Sequence, residues 1–487
     1  MIKLIPTPKY IEMSQRKRYV IFPQIFYKNV EFKLLTQSFI EIAKEIYDID
    51  INQTDKLKNS GIIVIKNRKI KKNAYNMFVD DAGIKILVSE ESGLGYAYAT
   101  LIQLLEEKNK NLIVPHCTIE DFPECEYRGF MVDTARQFHT VKQLECLIDI
   151  CFFYKIKYFH IHFIDNQSYT LPSKHFCDLS SEGKSYSQEE IEELNEYALS
   201  RNITIIPEFE CPGHAQAMIS AYPEVFGNKI CGAMNDREQI YKNADSNIKK
   251  DDIVCVGKAN VFENIKILLK EVIDMFPNSP YIHIGGDEAN LKIWEKCSDC
   301  KKYMQGNGID SVKRLYTHFI KKVTDMVINL GRTPIVWEGF PKEGIEELSR
   351  KTIVIAWESY YHLAPDLIKA GFKIINCSWK PLYIVPYKMP WNQKSVLEWN
   401  IYNWQHFWEK SYAYLNPINI SPTKQVLGGQ VCAWECNYFQ HIEKTKSYLA
   451  ALSERVWTIR RYVTDQDFHK KYKFLLNKLD ALLMEKE

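Results

Sequence analysis

Between Tyr127 and Trp434 the chain repeats one pattern eight times, and few folds can use it. Short apolar runs fall at Tyr127–Asp133, Tyr158–Ile164, Ile203–Phe209, Tyr281–Gly285, Thr333–Trp337, Thr352–Trp357, Phe372–Asn376 and Val426–Trp434. Most are separated by stretches with helical spacing, for example Val141–Phe153, Gln188–Ser200, Val261–Met275 and Val312–Leu330, and a closing helix is predicted over Lys444–Trp457. Strands buried on both faces need continuous apolar runs, and the helices between them supply the covering layer. The fold class expected is α/β, a (β/α)8 TIM barrel, although a doubly wound sheet shares the local pattern.

Upstream the pattern is different. Strand-like Tyr19-Val-Ile-Phe22, Ile62–Ile65 and Gly83–Val88 mix with helical Phe32–Tyr47 and Gly93–Glu107, which reads as a small α+β domain ended by Asp121-Phe-Pro123. The expected organisation is an accessory domain over 1–120, the barrel over 121–460 and a helical extension over 461–487.

A barrel places its chemistry where strands end. The first strand runs into Asp133-Thr-Ala-Arg136, the second carries His160 and His162 and ends at Asp165, and the third leads through Glu208-Phe-Glu-Cys-Pro-Gly to His214. Later strands end in Asp287-Glu288, Trp337-Glu338, Trp357-Glu358 and Trp434-Glu435. Three indoles beside carboxylates describe a sugar pocket, because aromatic rings pack on the apolar faces of pyranoses. The fourth strand is the most specific, since Tyr281–Ile284 is followed by Gly285 and Gly286 and then by two adjacent acids. Neighbours on an extended strand point to opposite faces, so Asp287 and Glu288 cannot flank one scissile bond at the ~5–5.5 Å of an ordinary retaining pair. If both are catalytic, their jobs differ. A turn followed by a helix cap would use the same residue types. Two long connections, 214–256 and 377–425, interrupt the rhythm, and the second, rich in Trp and Tyr, is expected to wall one side of a cleft.

Composition narrows the alternatives. With 63 Lys+Arg against 61 Asp+Glu the net charge is +2, so no nucleic-acid or membrane partner is expected. The first nine residues lack the apolar run of a signal peptide, and no stretch holds 18 unbroken apolar residues, which suggests a cytoplasmic protein. Thirteen cysteines scattered through core segments fit reduced thiols better than a disulfide framework. Cys297-Ser-Asp-Cys300 has metal-like spacing, but no second pair stands at comparable spacing, so neither metal nor cofactor is expected.

These motifs resemble the β-N-acetylhexosaminidases of glycoside hydrolase family 20 over nearly the whole chain. The resemblance rests on Leu4-Ile-Pro-Thr-Pro8, Tyr127-Arg-Gly, Asp133 to His139, Pro207-Glu to Pro212-Gly-His214, His283 to Glu288, and Leu449 to Trp457. It implies exo-acting, retaining hydrolysis of terminal β-linked N-acetylhexosamine from a small saccharide, with the substrate's own acetamido group as nucleophile. By resemblance Glu288 is the general acid and base, Asp287 holds the acetamido N–H, and Tyr383 donates to the acetamido oxygen. Arg128 is matched to the arginine that holds sugar hydroxyls, Trp337, Trp357 and Trp434 to the pocket tryptophans, and Asp165 and His214 to groups that tune the acid.

The sequence departs from the family where hydroxyls are read: Asp165-Asn-Gln-Ser-Tyr-Thr170 lacks an Asp, a Trp and an Arg, Val385 replaces an aspartate, and Glu435 stands one residue early. The preference between GlcNAc and GalNAc therefore stays open. Two other readings use the same residues: a metal-dependent amidohydrolase built on His160 and His162, which leaves the tryptophans without a role, and a sugar-binding relative without turnover.

Overall fold

Eight parallel strands close into a barrel in the computed structural model, which describes residues 3–20, 23–56, 61–228, 252–459 and 463–484. In chain order they are β1 (Tyr127–Asp133), β2 (Tyr158–His162), β3 (Thr204–Glu208), β4 (Tyr281–His283), β5 (Thr333–Trp337), β6 (Ile353–Ala356), β7 (Lys373–Asn376) and β8 (Val426–Ala433). Each pairs with the next, and β8 returns to β1 with Gly428 opposite Tyr127. Every residue of β1 and of β8 is buried, which is why these strands read as mostly apolar runs, and the polar exceptions Arg128, Asp133 and Gln430 are hydrogen-bonded inside the protein. Gly428 sits at φ +151°, and a Cβ there would overlap the Tyr127 carbonyl, so the seam needs a residue without a side chain.

The helices between the strands are bounded by caps. Thr140 and Gln143 form a capping box at the start of Val141–Phe153, and Ser187 and Glu190 do the same for Gln188–Ser200. The closing helix runs over Tyr438–Trp457, six residues longer than periodicity predicts, because Asn437 caps it and accepts from the Gln440 N–H. Among the described residues no helix is long and apolar enough to cross a membrane.

The N-terminal domain is a mixed sheet ordered Tyr10–Val20, Asn111–Asp121, Tyr75–Asp80, Gly83–Val88, Ile62–Lys66, Gln24–Phe26, Asn52–Gln53. Of the predicted strand Tyr19–Phe22, residues 21 and 22 lie outside the described residues. Helix Glu91–Leu104 packs on Tyr75–Asp80 and Gly83–Val88. It stops short of the predicted Glu107, because Glu106–Lys108 turns back through Asn109 and Lys110, both at positive φ, to pair with Asn111–Asp121.

A buried polar junction joins this domain to the lower end of the barrel. Asp121 accepts from Lys155 Nζ at 3.0 Å, Tyr75 Oη at 2.9 Å and Trp457 Nε1 at 2.7 Å. The last helix, Asp465–Leu483, packs against both Lys33–Tyr47 and Val141–Phe153. Its Lys471 donates to Thr7 Oγ1 at 2.7 Å, and Thr7 Oγ1 donates to Glu454 at 2.8 Å.

Candidate active site

At the upper end of β4 the backbone turns through Gly285 at φ +65° and Gly286 at φ +87°, and Glu288 follows at φ +48°. A Cβ on Gly285 would fall inside the Glu210 carboxylate, and the Gly286 N–H donates to Glu210 Oε1 at 3.1 Å. The turn thus delivers two neighbouring acids into unlike surroundings: Asp287 is 9% exposed, whereas the Glu288 side chain is 56% exposed. Burial pushes the Asp287 carboxyl up to about 6; His214 opposes that shift, and the charges of Glu288 and Glu208 add to it. Among the described residues its Oδ1 has no hydrogen-bond partner. Glu210 is pushed up strongly by burial and by Asp287.

A chain of ionisable side chains runs inward from Glu288. His214 Nε2 lies 3.5 Å from Glu288 Oε2, and its Nδ1 lies 3.4 Å from Asp165 Oδ1. Asp165 Oδ2 is 2.9 Å from His162 Nε2, and His162 Nδ1 is 2.6 Å from Glu208 Oε2. Glu208, at the end of β3, also meets His160 Nε2 at 3.1 Å, His283 Nδ1 at 2.9 Å and the Trp337 indole N–H at 2.6 Å. Burial disfavours protonated His214, but the neighbouring carboxylates, Asp165 first and then Glu288 and Asp287, outweigh it and raise its pKa well above the usual value. The hydrogen bond from His214 in turn lowers the Glu288 pKa. Asp165 is held low against its burial by His214, His162 and Arg136.

Aromatic rings wall the space above. Trp337 lies 6.3 Å from Trp357 and 5.8 Å from Trp434, centroid to centroid. Tyr383 stacks on Trp357 at 6.2 Å and on Trp379 at 4.3 Å. It reaches the site because Tyr383–Ile384 forms a short strand beside Cys432 and Ala433 of β8. The three tryptophans and Tyr383 singled out from the sequence therefore meet in one place. Of the other aromatics in the 377–425 connection, Trp391, Trp399 and Trp404 are buried, with Trp404 Nε1 donating to Ala356 O at 3.1 Å, so they fill the core beneath the cleft and do not wall it.

Arg128 is not in the cleft. It is the second residue of β1, and at about 3.3 Å per residue it lies roughly 17 Å below Asp133. There its guanidinium donates to Cys125 O at 2.8 Å, Lys155 O at 3.1 Å and Tyr96 Oη, which makes it part of the domain junction. The arginine in the cleft is Arg136, 3.0 Å from Asp133 Oδ2 and 2.7 Å from Asp165 Oδ2, with its guanidinium 5.2 Å from the Trp434 ring. Its position in Asp133-Thr-Ala-Arg136, just past a strand end, was the available signal. Glu435 is exposed; its N–H donates to Asp133 at 3.3 Å, and its charge acts on Arg136.

Glu338 is buried and has a supporting role. Its two oxygens accept from five successive backbone N–H groups, Glu358 through His362, at 2.8–3.1 Å. The loop so hung carries Glu358, whose carboxyl is pushed up to about 8 by burial and by the charge of Glu288. Glu208, Glu210 and Glu338 are supports that strand-end reasoning did not separate from reacting groups.

The model described as glycosyl hydrolase family 20, catalytic domain, matches residues 125–460, and that for domain 2 of the same family matches residues 1–122. A β-hexosaminidase of Porphyromonas gingivalis is 33% identical over 307 residues, 59% of this chain and 38% of the relative. One of Vibrio furnissii is 29% identical over 344 residues, 66% of this chain and 54% of the relative, so the chain spans well under two thirds of either. The crystal structure of an exo-β-N-acetylglucosaminidase from Vibrio harveyi shares the fold, with a TM-score of 0.81 over 98% of this chain and 77% of that one at 24% identity. With family models matching the barrel and the domain before it, the chain belongs to glycosyl hydrolase family 20.

Proposed function

We propose that the protein is an exo-acting, retaining β-N-acetylhexosaminidase that removes terminal β-linked GlcNAc or GalNAc from small saccharides by substrate-assisted catalysis. One observation carries the reading: a buried carboxylate with an unpartnered oxygen, Asp287, adjoins a solvent-facing carboxylate, Glu288, beneath a wall of indoles. The curated relatives named β-hexosaminidase support the substrate class.

In this reading the acetamido oxygen attacks the anomeric carbon while Glu288 protonates the departing glycosidic oxygen. The cyclic oxazolinium ion so formed is positive. Asp287 accepts its N–H through the free Oδ1 and balances its charge in a dry site, where such a pairing is worth most. Tyr383 donates to the acetamido oxygen. Water then opens the ring with Glu288 as base, so the anomeric configuration is retained. The hydrogen bond between His214 and Glu288 explains how an acid with a lowered pKa acts as a proton donor. His214 and Glu288 share one proton, and substrate that covers Glu288 shifts it to the carboxylate.

The nucleophile is the step to test. Aryl β-glucoside lacks the acetamido group and is expected to react slower than aryl β-GlcNAc by several orders of magnitude, since an oriented internal reactant is worth ~7–11 kcal/mol. A thiazoline mimic of the cyclic ion is expected to bind far tighter than the product sugar. Rates within about tenfold, and no gain in affinity for the mimic, would overturn the reading and point to Glu358 as a separate nucleophile to examine. Glu288→Gln is expected to lose turnover of natural glycosides while sparing substrates with very good leaving groups. Equal losses on both would remove Glu288 from the acid role.

Among the described residues no cysteine forms a disulfide, and all but Cys177 are buried. This supports work in a reducing compartment, the cytoplasm, on imported saccharides. Native protein found outside the cell by fractionation would count against it.

A further inference from the structure

Three cysteines that the proposed chemistry does not use, one before the acid pair in the chain and two after it, converge in one cluster. Cys255 Sγ lies 3.7 Å from Cys297 Sγ and 3.6 Å from Cys300 Sγ, and one ligand atom from each residue falls within 4.8 Å of the others. All three side chains are buried. A disulfide needs sulfurs about 2.05 Å apart, which these are not. Thiolates at the corners of a tetrahedron, each about 2.3 Å from zinc, stand about 3.8 Å apart, which these nearly are.

The backbone holds the three in place independently of any contact between sulfurs. The loop bearing Cys255 is fixed by Val254 N–H to Pro212 O at 2.8 Å, Cys255 N–H to Phe226 O at 2.8 Å and the Trp294 indole N–H to Val254 O at 2.8 Å. Gly257 lies so close to the backbone of Asp299 and Cys300 that a Cβ would overlap it. Cys297 is the N-cap of helix Ser298–Gly306 and Cys300 lies in its first turn, so the helix start fixes the spacing of these two. An oxygen donor is also present, since Asn228 Oδ1 lies 3.5 Å from Cys300 Sγ.

We propose that Cys255, Cys297 and Cys300 bind one Zn2+ as thiolates, with an oxygen, from Asn228 or water, completing a tetrahedron. Soft sulfur ligands select such an ion over magnesium or calcium. Binding converts three thiols to thiolates and releases three protons, so affinity falls as pH falls. The ion ties the 252–257 loop, which runs beside Pro212 and Ala215, to the helix pair that begins three residues after Glu288. Its role is to fix the far end of the segment that carries the acid pair. The sequence showed half of this site, the Cys297-Ser-Asp-Cys300 spacing; the third ligand stands 42 residues upstream of Cys297.

The test uses the full chain purified under reducing conditions without chelator. Elemental analysis is expected to find one zinc per chain, released in step with mercurial titration of thiols. Cobalt exchanged into the site is expected to show a thiolate-to-cobalt charge-transfer band. Cys297→Ser and Cys300→Ser are expected to lose the metal and the band, whereas Cys177→Ser keeps both. Should either variant fail to fold, the wild-type cobalt spectrum and mercurial release still decide. No zinc after dialysis against an equimolar supply, a cobalt spectrum without the thiolate band, or a disulfide found by mass after alkylation would each overturn the proposal. None of these readouts depends on glycosidase activity, so this site and the proposed reaction fail separately.

Discussion

Asp287 sits in a place that suits its proposed chemistry and opposes its own charge. Raising its carboxyl from 3.8 to about 6 means that the folded protein binds a proton more readily than the unfolded chain does. The resulting penalty is absent below about pH 4, grows as pH rises through 6 and then levels off, at about 3 kcal/mol from ~1.4 kcal/mol per unit. Asp287→Asn removes the charge and keeps the size. It is expected to raise the unfolding midpoint at pH 8, show no such gain at pH 4, and lose most turnover at both; thermal melts across that range check it. The two arginines make a matching contrast. Arg136→Met is expected to lower kcat/KM by 100-fold or more, because Arg136 packs on Trp434 and fixes Asp165. Arg128→Met is expected to lower stability by several kcal/mol through orphaned carbonyls, leaving kcat/KM of the folded fraction intact. Residue type could not separate these arginines, which stand eight positions apart in one motif-rich stretch. What separates them is the rise of a strand, which carries one to each end of the barrel.

The strands were legible at the scale of elements, because burial on two faces leaves no room for polar alternation, and Val426–Ala433 or Thr333–Trp337 could hardly be anything else. The loops that finish the site were less so. Glu338 shows why: its partners are five consecutive backbone amides, and a backbone amide has no letter in a sequence. Glu338→Ala is expected to cost roughly 3–5 kcal/mol, as buried N–H groups lose their acceptor. Because residues 358–362 hang from that carboxylate, it is also expected to raise KM; chemical denaturation and steady-state kinetics on one preparation separate the two effects. The closing helix taught the opposite lesson, since the Asn437 and Gln440 cap was visible but lay outside the apolar periodicity.

For the molecule as a whole, the two domains are joined by charge as well as by apolar contact. Lys155 is buried, and Asp121 is its paired carboxylate, so Asp121→Ala leaves an uncompensated charge at an expected cost of ~3–5 kcal/mol. The junction lies at the end of the barrel away from Glu288, so kcat is expected to hold while the melting temperature falls. The seam built on Thr7 has a different consequence. Thr7 binds Glu454 across 447 positions and Lys471 across 464. At ~5–20 residues per second a ribosome makes Thr7 roughly 20–90 s before its partners, which follow every strand of the barrel. The first domain therefore waits, its flank uncovered, until the last helix is released, and the chain is most open to proteases and to premature association during its own synthesis.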